Sequence, residues 1–110
     1  MRKGAIVLDP EDEFERIVSE MVEMHRTKSK AYGARGDKLQ NFYNIADAQG
    51  IGPLTACEHL AAKHASVIRE YVNDEGAPAT KYTDDAFLDR AVYSVLSKIL
   101  YERGKNGSQS

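Results

Sequence analysis

The chain has 110 residues, with 15 Lys and Arg against 17 Asp and Glu, one cysteine and no tryptophan. That length fits one domain. A net charge of -2 gives no general attraction for nucleic acid, and a lone Cys57 excludes an intramolecular disulfide and argues against a cysteine-based zinc site. No apolar run approaches the roughly 20 residues that span a bilayer, and Ala5-Ile6-Val7-Leu8 is too short for a signal peptide. The chain reads as cytoplasmic, with no membrane partner.

The first eight residues read as an N-terminal extension, whose Ala5–Leu8 run is the only strand candidate and has no evident partner. Asp9 then caps a helix, Pro10 suits its first position, and Glu11, Asp12 and Glu13 favour the positive end of its dipole. Phe14, Ile17, Val18, Met21 and Met24 recur at helical spacing and mark its core stripe. This helix runs to about Lys28 or Lys30, with Gly33 as its stop. A short second helix carries Leu39, Phe42, Tyr43, Ile45 and Ala46 and ends at Gly50. Gly52-Pro53 opens a third, with Leu54, Cys57, Leu60, Ala61, His64, Val67, Ile68 and Tyr71 on one face and a stop at residues 73–76.

Residues 76–82 read as a loop, and Thr83 as the cap of a fourth helix with Asp84 and Asp85 in its first turn. Its stripe is Leu88, Ala91, Val92, Val95, Leu96 and Ile99, Gly104 ends it, and Arg90, Ser94, Ser97 and Lys98 take the outer face. The expected domain therefore covers residues 9–104, followed by a polar, disordered tail at 105–110. The fold class is all-α: a bundle of three main helices and one short one, completed by oligomerisation.

Several polar residues fall on apolar faces. At about 100° per residue, Asp85 and Asp89 project within the fourth helix's apolar arc or at its margin, one turn apart. A carboxylate turned toward a core needs a cation, a metal or several donors. Asp89 either serves a site or pairs with an internal Lys or Arg, and Asp85 either joins it or steadies the helix N-terminus. His64 lies in the third helix's apolar arc with Glu58 on its flank, while His59 and Lys63 point outward. His25 and Lys28 close the first helix's core face. From Arg26 to Lys38 five basic residues face Asp37 alone, with Gly33 and Gly36 able to let backbone N–H groups approach an anion. This is either a phosphate-contacting loop using Lys28, Lys30, Tyr32 and Arg35 or a flexible charged connection.

The chain has no Walker loop, no GxGxxG, no HExxH and no serine elbow. It does carry, in order, Lys28-Ser29-Lys30-Ala31-Tyr32-Gly33, Asn41-Phe42 with Ala46 and Gly50, Leu60-Ala61-Ala62-Lys63-His64, and Asp84-Asp85-Ala86-Phe87-Leu88-Asp89-Arg90-Ala91-Val92-Tyr93. Over residues 25–103 this resembles the small phage and prophage proteins described as MazG-like, within the all-α nucleotide pyrophosphohydrolases. Ala31 stands where the resembled motif has an acid, and the third helix lacks the E-x-x-E pair that MazG enzymes use to hold magnesium.

The resemblance implies a nucleotide-handling, homo-oligomeric protein, acting in the host cytoplasm if phage-encoded. A hydrolytic version would use Asp85 and Asp89 catalytically, holding Mg²⁺ together with Glu58, and His64 or His25 as a proton relay. Lys28, Lys30 and Arg35 would neutralise phosphate, and Tyr32 would contact base or sugar. A non-catalytic version would sequester a nucleotide or nucleotide-derived signal. A helical adaptor binding a host protein is the third possibility, with the aspartates purely structural.

Overall fold

A computed structural model of the chain describes residues 10–31 and 38–105. Four helices account for them: α1 (Pro10–Ala31), α2 (Lys38–Gln49), α3 (Pro53–Asn73) and α4 (Lys81–Lys105). The expected N-terminal extension, the Gly33 stop and residues 106–110 of the tail lie outside the described residues. Within them the all-α expectation holds, and no strand occurs.

Local chemistry sets the boundaries. Gly50 adopts a positive φ of 69°, which a side chain would resist. The following Ile51 N–H then turns back onto the Ala46 carbonyl at 3.0 Å, the Schellman arrangement that satisfies a helix's last acceptors. Gly52 and Pro53 start α3, Gly52 in extended backbone and Pro53 where no N–H is needed.

Two expected boundaries of α4 are corrected. The cap is Thr80, not Thr83: Thr80 Oγ1 accepts the Thr83 N–H at 3.2 Å and its carbonyl accepts the Asp84 N–H at 2.9 Å. Thr83 instead occupies the third helical position with its side chain buried. At the other end α4 runs through Gly104 to Lys105, because Gly104 keeps a helical φ and supplies no left-handed break.

The core is small and centred on α4. Phe42, Cys57, Val92, Leu96 and Leu100 are buried, flanked by Met21, Met24, Leu39, Leu54, Leu60 and Tyr93. α4 packs along α3, α2 rests on α3, and α1 touches α4. Ser97, expected on the outer face, is buried. With neighbours on more than one side, α4 buries a wider arc than its aliphatic stripe alone marks, and Ser97 falls inside it.

The first helix departs most from expectation. Only its second half packs: Met21, Met24, His25 and Lys28 are half-buried, whereas residues 11–20 are all exposed. Phe14, Ile17 and Val18, assigned to the core by their spacing, are 69%, 42% and 37% exposed. The described shape agrees, with a long axis of 53 Å against 29 and 28 Å. At 1.5 Å per residue α4, the longest helix, spans only about 37 Å, so another element must project beyond it.

Candidate functional site

Asp89 is the centre of the polar constellation. It sits on the α3-facing side of α4 at 7% exposure, and its carboxylate meets two basic groups from two other helices. Lys28 of α1 donates from Nζ to Oδ1 at 2.9 Å, and His64 of α3 brings Nδ1 to 3.8 Å from Oδ2. The Lys28 bond is direct and charge-assisted; the His64 approach is electrostatic, beyond hydrogen-bond distance. His64 is held by the Tyr93 ring at 5.1 Å between centroids, and Tyr93 in turn stands edge-on to Phe42 at 5.8 Å. The core thus orients the imidazole beside the carboxylate.

A hollow of about 230 Å³ opens over this group between α3 and α4, lined by Lys63, His64, Val67, Tyr82, Asp85, Ala86 and Asp89. Asp85 stands one turn before Asp89 and pairs with Lys81 at 3.0 Å, on a partly exposed position. Asp85 also borders a wider, shallower hollow toward α1, where Arg16, Glu20, Glu23 and Lys81 contribute charge. It therefore forms part of the ridge between the two.

Of the three carboxylates expected to hold Mg²⁺, Asp85 and Asp89 share the hollow and Glu58 does not. Glu58 Oε2 accepts the Ser97 hydroxyl at 2.6 Å. Ser97 lies two turns along α4 from Asp89, about 12 Å at 1.5 Å per residue. A hydroxyl carries one proton, and this short contact takes it, although Ser97 Oγ also lies 3.3 Å from Cys57 Sγ. Among the described residues no three His, Cys, Asp or Glu side chains gather as a metal would require. The donor set does not fit a three-carboxylate Mg²⁺ centre. Asp89 already has its charge matched by Lys28, and Asp85 by Lys81.

The remaining expected residues separate. Lys30 is exposed at the end of α1, and Tyr32 and Arg35 lie outside the described residues. His25 lines a different groove, of about 300 Å³, with Met21, Val22, Val92, Leu96 and Ile99; its neighbours there are mostly apolar, unlike those of His64. A larger hollow, about 770 Å³ beside Tyr43, Pro53, Leu54, Leu100 and Tyr101, contains none of the residues singled out by chemistry. It is predominantly an aliphatic and aromatic surface. The polar hollow over Asp89 is the better candidate site despite its smaller size.

Sequence reasoning passed over two residues of that hollow. Lys63 was assigned to the outer face, and it is exposed, yet its position next to His64 carries it to the rim. Tyr82 was assigned to a loop, but with Thr80 as the cap it becomes helical, three residues before Asp85 and on the same side. Recognising the earlier cap would have found it. No protein family matches the chain, and no curated protein or solved structure matches it significantly.

Proposed function

We propose that the chain is a nucleotide-handling protein of the kind its sequence resembles, binding the phosphate-bearing part of its ligand at the hollow between α3 and α4. The observation that carries this is the meeting of His64 and Lys63 of α3 with Tyr82 of α4 around one hollow, at whose buried Asp89 the negative charge is matched by Lys28 of α1. Lys63 supplies an exposed cation at the rim, and the 71% exposed Tyr82 offers an aromatic face for a base. Asp85 can accept from a sugar hydroxyl or an exocyclic amine. A hollow of about 230 Å³ is below the range of complete small-molecule pockets. It suits a phosphate and part of a sugar, leaving the base to the surface near Tyr82.

This reading favours binding over turnover. Its carboxylates are matched by lysines and do not form the three-acid donor set, so no metal-dependent step is derived from them. The test is calorimetry with ATP, GTP and the dNTPs, each with and without Mg²⁺, alongside inorganic phosphate and pyrophosphate. Lys63→Glu and Tyr82→Ala are run in parallel and checked for folding by circular dichroism. The reading expects nucleotide binding weakened at least about tenfold by Lys63→Glu, the cost of losing and reversing one phosphate contact. No binding of any nucleotide to the folded protein overturns it. Pyrophosphate release in the Mg²⁺ arm would overturn the preference for binding and restore the hydrolytic version.

A further inference from the structure

We propose that the hollow of about 770 Å³ where the end of α4 meets the start of α3 binds a small organic monocarboxylate with an apolar body. This goes beyond the nucleotide reading and stands independently of it, since the two hollows share no lining residue. The volume lies within the range of complete small-molecule pockets, which the hollow over Asp89 does not reach.

Three helices build the site. Near its end α4 brings Leu100, Tyr101, Arg103 and Lys105, while α3 brings Pro53 and Leu54 and α2 brings Tyr43. Burial sorts these residues by depth. Leu100 is 4% exposed and Pro53 and Leu54 are half-buried, so the floor is apolar. Tyr101, Arg103 and Lys105 are exposed and stand at the rim. A Cβ at Gly52 or Gly104 would meet no atom within 4 Å, so bare backbone borders open space at both helix ends.

Charge selects the occupant. The start of α3 and the end of α4 bring dipole ends of opposite sign here, which leaves the balance to the side chains. Both charged side chains in the lining are cations. Neither Arg103 nor Lys105 pairs with a carboxylate among the described residues. Glu102, between Tyr101 and Arg103 in the chain, is held by Lys98 and feels Lys105 only through its charge.

The rim also supplies directed donors. Lys105 Nζ lies 5.6 Å from the centroid of the Tyr101 ring. Arg103 Nη1 donates to the Tyr43 hydroxyl at 3.4 Å, which leaves that hydroxyl's own proton for an acceptor. A carboxylate takes two parallel bonds from a guanidinium, and an apolar body below it removes Leu54, Leu100 and the Tyr101 face from water. A polyphosphate would set several charges against two exposed cations over an apolar floor, so a single head group is the better match.

Amide NMR on the full chain, titrated with octanoate, tests this. Octanoate should saturate with a Kd below about 1 mM, moving the Leu54, Thr55 and Gly104 amides most. Octanol, with the same body and no charge, should bind at least about tenfold more weakly. Arg103→Gln with Lys105→Gln should remove that advantage and leave octanol binding unchanged. Both side chains are exposed, so circular dichroism should show the helices intact. Several results overturn the proposal: no saturation with octanoate, equal binding of octanol, or a double variant that holds octanoate as tightly. Shifts centred on Val22 and Ile99, or on Ala86 and Asp89, would also overturn it by placing the acid in another hollow. ATP that saturates the Leu54 and Gly104 amides would assign this hollow to a nucleotide and overturn the carboxylate reading.

Discussion

Lys28 and Asp89 are 61 positions apart in the chain and 2.9 Å apart in space, and their ion pair ties the last turns of α1 to the middle of α4. Asp89 is nearly buried while Lys28 keeps 42% of its side chain exposed, so the two partners do not lose equal amounts of hydration. Lys28→Met should destabilise by about 1–3 kcal/mol, because it leaves a carboxylate with its charge unmatched inside the bundle. Lys28→Met with Asp89→Leu should recover most of that loss. Urea denaturation of the two single variants and the double closes the cycle; a coupling near zero would show that the pair is decorative.

Phe42, at 1% exposure, fills the centre of the core and meets Tyr93 edge-on. Phe42→Ala should cost about 3–5 kcal/mol and loosen His64 through Tyr93. Phe14→Ala, at a position 69% exposed, should stay within about 0.5 kcal/mol. Equal costs for the two phenylalanines would contradict the burial pattern.

Thr80→Ala should cost about 1 kcal/mol, the usual worth of a helix cap, while Thr80→Asp should retain stability. Amide exchange at Thr83, whose N–H the cap receives, should accelerate in the alanine variant alone.

Glu102 is held below the ordinary carboxyl value of 4.5 by a hydrogen bond from Lys98 and by that ammonium's charge. A depressed value in the folded state means that the contribution is present above 4.5 and is lost as pH falls through the folded midpoint. The group is fully exposed, so its effect on stability is small. Carboxyl NMR should show the Glu102 midpoint moving up in Lys98→Gln; an unmoved midpoint would remove Lys98 as the cause.

Helix existence was legible because it rests on local signals: the Pro10 and Pro53 starts, the Gly50 stop and apolar spacing all act within a few residues of themselves. Asp89 was legible for the same reason, as an acid on an apolar arc. Its partner was half legible: the helical spacing puts Lys28, not Lys30, on α1's core face, but only the crossing with α4 sets it against Asp89. Phe14, Ile17 and Val18 show the converse limit. Periodicity says that a face is to be covered, but the projecting end of α1 has no neighbour among the described residues that buries it. Ser97 failed differently: a serine looks solvent-facing by type, yet its hydroxyl donates to Glu58 across α3 and α4, which also keeps Glu58 from joining Asp85 and Asp89. The cap moved from Thr83 to Thr80 because both residue types are competent and only backbone geometry decides between them.

Cys57 is wholly enclosed, with its thiol facing the Tyr93 carbonyl at 3.8 Å. A thiol reagent cannot reach it until α3 and α4 part, so the rate of its modification is a clock for that separation. With one sulfhydryl per chain, the signal needs no assignment and no engineered label. The same tube of protein, titrated with ATP or pyrophosphate, would report through one atom whether either compound tightens the bundle.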